Sequence, residues 1–165
     1  MSTPVIQMRT PAETALIERF AAEKATLPGA AEARAVAFAR FEKAGLPSRR
    51  VESYHYTDLR NLMRVVYPEN EAMEQPSGRF VSFEDTKHVA LINSHIPSED
   101  IIYFEGGSVQ PLDDALRAGR VDLGRAMGAA SDVVVDLNTA LVRRGAFVSV
   151  DAGANTSLHL ACQDV

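Results

Sequence analysis

Between residues 10 and 47 the sequence writes a start, a break and a stop for two helices. Thr10, Pro11 and Glu13 stand at capping-box spacing. There the threonine hydroxyl accepts from the N3 amide and the glutamate carboxylate accepts from the cap amide. Proline at the first helical position forfeits no intrahelical bond, so a helix is predicted from Pro11. Leu16, Phe20 and Leu27 fall on one stripe with Ile17 beside it, while Glu18, Arg19 and Glu23 lie off it, so one face is expected to be buried. Pro28 and Gly29 interrupt the run before AAEARAVAFARFEKAG, a second helix with Ala33, Ala37, Phe41 and Ala44 along one side. Gly45 occupies the position where a left-handed residue closes a helix, Leu46 is placed to fold back on Phe41, and Pro47 bars continuation. Residues 11–45 therefore read as an αα-hairpin. Two helices of this length bury too little apolar surface to offset their chain entropy, and the pair must dock on another layer.

The stretch that follows, GLPSRRVESYHYTD at 45–58, is the natural connection to that layer. Read as an extended segment, it puts Tyr54 and Tyr56 on one side and Ser53 and His55 on the other. The two tyrosines are then amphipathic packing residues whose hydroxyls need partners. Thr57 is placed to cap a short helix sharing Leu59, Leu62 and Met63 on one face, with Asp58 at the positive end of its dipole. Arg49 and Arg50 are expected to hold nearby carboxylates or helix carbonyl ends.

Beyond residue 67 the pattern changes. YPENEAMEQPSGR is polar and reads as a surface loop or linker. RFVSF, HVALINSHI and DIIYF are strand candidates, and EGGSVQ reads as a turn. PLDDALRAG reads as a short helix ended by Gly119, DLNTALVRR as another, and GAFVSVDAG and SLHLAC as two further strands about a Gly/Asn turn. This region is α+β. The expected organisation is a helical arm over 1–67, a linker over 68–78 and an α+β region over 79–165.

With 46% hydrophobic residues in 165, the chain can build one core or a modest core with an appendage. A formal net charge of −5 gives no electrostatic support to non-specific nucleic-acid or anionic-membrane binding. No apolar run approaches the ~20 residues that span a bilayer, and MSTPVIQMRTP lacks the basic start and apolar run of a secretory signal. A cytoplasmic location is expected, with neither nucleic acid nor membrane as partner. The single cysteine, Cys162, excludes an internal disulfide and a cysteine cage within one copy.

Each chemical candidate has a structural reading beside it. His55 and Asp58 resemble a base with an orienting carboxylate, but they lie across an extended-to-helix junction without a nucleophile nearby in sequence. His88 and His95 fall on opposite faces of a strand and off the spacing of a helical zinc motif. Asp113 and Asp114 fit a helix's first turn, where the dipole favours them. EGGSVQ lacks the lysine and glycine spacing of a phosphate loop. His159 alternates with Leu158 and Leu160 and reads as a solvated or hydrogen-bonded side chain. No catalytic, cofactor or metal residue is assigned.

The stretch GLPSRRVESYHYTDLR resembles a signature near the N-terminus of SufD-type members of the SufB/SufD family: glycine, a small or apolar residue, proline, a basic pair, glutamate, an aromatic, then tyrosine and threonine. The likeness extends through the paired helices before it and through PLDDALRAG and LNTALVRRGAFVSVDAG after it. Tyr54 stands where relatives usually carry tryptophan, and this chain has none.

The resemblance implies a non-enzymatic scaffold subunit of the SUF system for iron–sulfur cluster assembly. It implies SufB and SufC homologues as partners, with ATPase activity belonging to SufC. The cluster is implied for the full complex, with no ligand among these residues, and Cys162 matches no motif. The family's fold implies that the α+β region leads into a right-handed parallel β-helix and that the chain is the N-terminal portion of a longer protein. Such a segment would leave an open strand edge near residue 160 and could self-associate into a homo-oligomer. Two other readings remain at this level: a small enzyme using His55 or His88 with nearby carboxylates, and an independent protein-binding module.

Overall fold

The computed structural model describes residues 8–68, 86–96, 100–126 and 132–163. The chain divides into two compact units, Met1–Pro68 with Asp122–Val142, and Glu69–Val121 with Arg143–Val165.

The first unit is helical. Helix α1 spans Pro11–Glu23 and opens at the expected capping box, with Glu13 N donating to Thr10 Oγ1 at 3.2 Å and Thr10 N donating to Glu13 Oε2 at 2.6 Å. Helix α2 spans Ala31–Ala44, and Ala30 enters it with φ 54°. The buried side of α2 is Arg34, Ala37, Phe38 and Phe41, whereas Ala33 is half-buried and Ala44 exposed. The small-residue seam expected along Ala33 and Ala44 is therefore displaced onto Arg34 and Phe38. Phe38 stacks on Phe20 of α1 at 3.9 Å between ring centroids, 12° from parallel. Gly45 has the expected positive φ of 69°, but its ψ of −175° is extended, a combination open essentially to glycine alone. Leu46 turns inward and is buried.

The connection at 51–58 is not extended. Glu52–Tyr54 form one 3₁₀ turn, so Tyr54 and Tyr56 do not share a side: Tyr54 is half-buried and Tyr56 is 94% exposed. Asp58, rather than Thr57, caps the short helix α3, Leu59–Leu62, by accepting from Asn61 N at 3.1 Å. The shared apolar face expected there is only partial, since Leu62 is exposed while Met63 packs on the core.

The layer covering the hairpin comes from much later in the chain. Helices α4, Leu112–Arg117, and α5, Leu123–Ala126, precede helix α6, Val133–Leu141, which Asp132 caps through Val134 N at 2.8 Å. Ala140 joins Ala12, Leu16, Phe20, Leu27, Ala37, Phe38, Phe41 and Leu46 in one core, with Val133, Leu137 and Leu141 packed against it. α5 and α6 belong to this unit, whereas α4 belongs to the second.

The second unit holds two small open sheets. Strand β1, Lys87–Ile92, pairs in parallel with β5, Leu158–Gln163. Strands β2, Ile102–Phe104, β3, Gly107–Pro111, and β4, Ala146–Val150, form an antiparallel sheet in the order β2-β3-β4. Val89, Leu91, Ile96 and Val109 are buried together, with Ile102, Phe104, Val148 and Leu158 packed around them. Asn93 and Ser94, at φ 47° and 65°, turn the chain after β1 so that Ile92 and His95 exchange backbone bonds of 2.8 Å. EGGSVQ, expected as a turn, is a turn only at Glu105–Gly106; Gly107 opens β3. Gly107 is required there because a Cβ would stand 2.4 Å from Ser149 O on β4.

The expected β-helix lead-in is corrected by this topology. A parallel solenoid stacks successive coils in parallel, but β4 runs antiparallel to β3, and the parallel pair among the described residues joins strands from opposite ends of the unit. The sheets of two and three strands are open rather than coiled. RFVSF and the polar stretch from Glu69 onward lie outside the described residues.

Candidate functional site

The densest polar construction lies in the helical unit, where the capping glutamate does more than cap. Glu13 is 2% exposed, and its Oε1 accepts from Leu46 N at 2.8 Å while Oε2 accepts from Thr10 N. One carboxylate thus joins the start of α1 to the exit of α2. Arg60 of α3 adds its charge, with Nη1 3.5 Å from Glu13 Oε1, and its Nη2 donates to Met8 O. Gly45 passes so close that a Cβ there would sit 2.6 Å from Glu13 Oε1. Buried charge of this kind persists because donors replace the lost water.

Arg34, 1% exposed, makes the second construction. Its Nε donates to Gly29 O at 2.9 Å and its Nη2 to Pro28 O at 2.8 Å, which ties off the turn between α1 and α2. Its Nη1 donates to Ala140 O at 3.1 Å and Thr139 O at 3.4 Å, carbonyls in the last turn of α6. A cation belongs at that negative helix end, and the planar fork lets one side chain serve both places. Arg40 lies 3.6 Å from the buried carboxylate of Asp136 on α6.

Tyr54 supplies a third tie, its hydroxyl lying 2.7 Å and 2.9 Å from the two carboxylate oxygens of Asp132. Burial first, then the hydrogen bond to Asp132 and its negative charge, push the Tyr54 hydroxyl up to about 12. The same bond, helped by the amides of Val134 and Val135 and opposed by burial, holds the Asp132 carboxyl below the usual aspartate range. Between α1 and α2 an open groove of about 430 Å³ is lined by Ile17, Phe20, Lys24, Ala35, Phe38 and Glu42 among others.

The sequence candidates fare differently. His55 is exposed and meets Tyr56 edge-on at 5.0 Å, while Asp58 is engaged with Asn61, so the proposed base and its orienter are not brought together. Arg49 and Arg50 are exposed, and the buried carboxylate of Glu13 is met instead by Arg60. Asp113 and Asp114 sit in the first turn of α4, as expected, and pair with Arg117 at 2.8 Å and 3.0 Å. His88 lies on β1 and His95 beyond the turn that follows it. Burial, reinforced by Arg144 and opposed by Asp113, lowers the His95 pKa. His88 instead meets His159, a pairing the chain order conceals. Cys162 is exposed on β5. Among the described residues no group of three or more histidine, cysteine or acidic side chains is placed to hold a metal ion. No helix among them is long and apolar enough to cross a membrane.

These features define a helical domain in which Glu13, Arg34, Arg60, Tyr54 and Asp132 fasten its segments to one another. Residues 14–77 match the family model described as SufBD protein N-terminal region, so a domain of the SufB/SufD family is present there. The matched stretch takes in most of α1, all of α2 and α3, and the connection holding Tyr54. No curated protein and no solved structure matches the chain. The family match does not distinguish SufD from SufB.

Proposed function

We propose that the chain supplies the N-terminal part of a SufD-type scaffold subunit for iron–sulfur cluster assembly. It acts with SufB- and SufC-type partners in the cytoplasm, and the ATPase activity of the assembly belongs to the SufC partner. The match of residues 14–77 to the SufBD N-terminal region carries the reading and supports a general scaffold role in cluster assembly. The assignment to SufD rather than SufB rests on the signature at 45–60, with Tyr54 in its aromatic position. The internal use of Glu13, Arg34 and Asp132 agrees with a supporting rather than a catalytic domain. The cluster belongs to the full assembly, and no ligand to it is assigned to these residues.

The test is co-expression of the affinity-tagged protein with SufB and SufC homologues, followed by size-exclusion chromatography. Co-elution of all three in one complex is expected, with ATP hydrolysis abolished by inactivating the SufC partner alone. A SufB–SufC complex that forms while the tagged protein elutes alone would contradict the proposal.

A further inference from the structure

His88 and His159 stand directly opposite one another in the parallel ladder of β1 and β5, in register as Cα partners. Their Nδ1 atoms are 3.0 Å apart and their rings meet at 76° with centroids 5.0 Å apart. From these observations we propose that the pair is a two-histidine chelate for a divalent transition-metal ion of the Zn²⁺, Ni²⁺ or Cu²⁺ kind.

The spacing decides the chemistry. With metal–imidazole bonds of about 2.05 Å, two cis nitrogens lie about 2.9 Å apart at a right angle and about 3.3 Å apart at a tetrahedral angle. The observed 3.0 Å falls between these limits, so the ladder already holds the two donors at chelating distance. Coordination displaces the proton that lies between the rings. The donating ring changes tautomer, its Nδ1 proton passing by way of solvent to its own Nε2, so that each Nδ1 turns a lone pair to the ion and each neutral ring carries its one proton on Nε2. The next pair on the same face, Ala90 and Ala161, carries only methyl groups, and His88 is exposed. Water or a partner's side chain would complete the coordination sphere. Neutral imidazole suits these borderline ions better than Mg²⁺ or Ca²⁺.

The site stands apart from the proposed assembly role, since it uses neither the matched stretch nor the helical unit. Its test is titration of the protein with Cu²⁺ by calorimetry, together with a map of paramagnetic line broadening in NMR spectra. One equivalent is expected, with broadening centred on His88 and His159. His88→Gln or His159→Gln should weaken binding at least about tenfold by removing one arm of the chelate, while His55→Gln leaves it unchanged. Broadening centred elsewhere or spread over all histidines, or a His88→Gln variant that binds as tightly as the parent, would overturn the proposal. The broadening map uses the unaltered protein, so it decides the matter even where a variant fails to fold.

Discussion

Arg34 and Ala140 are 106 positions apart in sequence and joined by a 3.1 Å hydrogen bond from a buried guanidinium to the last turn of α6. The hairpin lacks a layer of its own to dock on, and this bond shows how a distant helix serves. A charge placed at the carbonyl end of α6 fixes that helix by its end, while Ala140 and Leu137 seal it by packing.

Replacing Arg34 by methionine leaves the carbonyls of Pro28, Gly29 and Ala140 without this donor. Loss of about 3 kcal/mol or more of stability is expected, the scale of a broken buried charge network. Lysine keeps the charge but cannot reach both ends, so an intermediate loss follows. Urea denaturation monitored by circular dichroism checks both, and a loss under about 1 kcal/mol for the methionine variant would show that Arg34 fastens nothing.

Gly45→Ala introduces both a disfavoured backbone and a collision with Glu13 Oε1, whereas Gly119, at φ 67°, has nothing within 4 Å of the point where a Cβ would stand. Gly119→Ala should cost about 1 kcal/mol, the ordinary penalty for a left-handed alanine. Gly45→Ala should cost about 2–3 kcal/mol. Equal losses in thermal melts would mean that the carboxylate yields without consequence.

Tyr54→Phe removes the tie to Asp132 at a half-buried position, and about 1 kcal/mol is expected after allowing for solvent. The pH dependence has two arms. The Asp132 carboxyl titrates lower in the folded state, so its contribution is present above about pH 4 and fades as pH falls through the folded value. The Tyr54 hydroxyl titrates higher in the folded state, so its contribution is present below about pH 10 and is lost as pH rises through about 12. The stability difference between parent and Tyr54→Phe should therefore form a plateau between these limits and shrink beyond each.

The His95 ring titrates lower in the folded state, chiefly through burial. Its contribution is present above about pH 6.5 and lost as pH falls through the folded value. His95→Gln should therefore flatten part of the stability loss on mild acidification. NMR titration of the His95 ring in the folded protein should give a midpoint below that of the same residue in an unfolded peptide.

Features coded locally were legible in the sequence. The capping box at Thr10 and Glu13, the proline and glycine at the two helix ends, and the short helix after Pro111 depend on neighbours within a turn. What escaped was set by distant partners. Nothing in the alanine-rich helix singles out Arg34, because its carbonyl partners at one end come from α6. Tyr54 is recognisable as needing a partner, but Asp132 cannot be named from spacing. Gly106 and Gly107 mask a strand, since β3 is held by pairing on both sides rather than by its own propensity. His88 and His159 meet only through the register of β1 and β5. The β-helix expectation comes from resemblance rather than from any periodicity in these residues, and the observed pairing replaces it.

At the centre stands the claim that this chain supports an assembly and performs no chemistry with its own side chains. It is tested most directly by iron–sulfur enzyme activity in cells that depend on the protein, comparing His55→Ala with Arg34→Met. His55→Ala is expected to restore cluster-dependent activity to the parental level, while Arg34→Met, with its helical unit unfastened, restores little. Loss of activity in a stably folded His55→Ala variant, with Arg34→Met fully active, would contradict it.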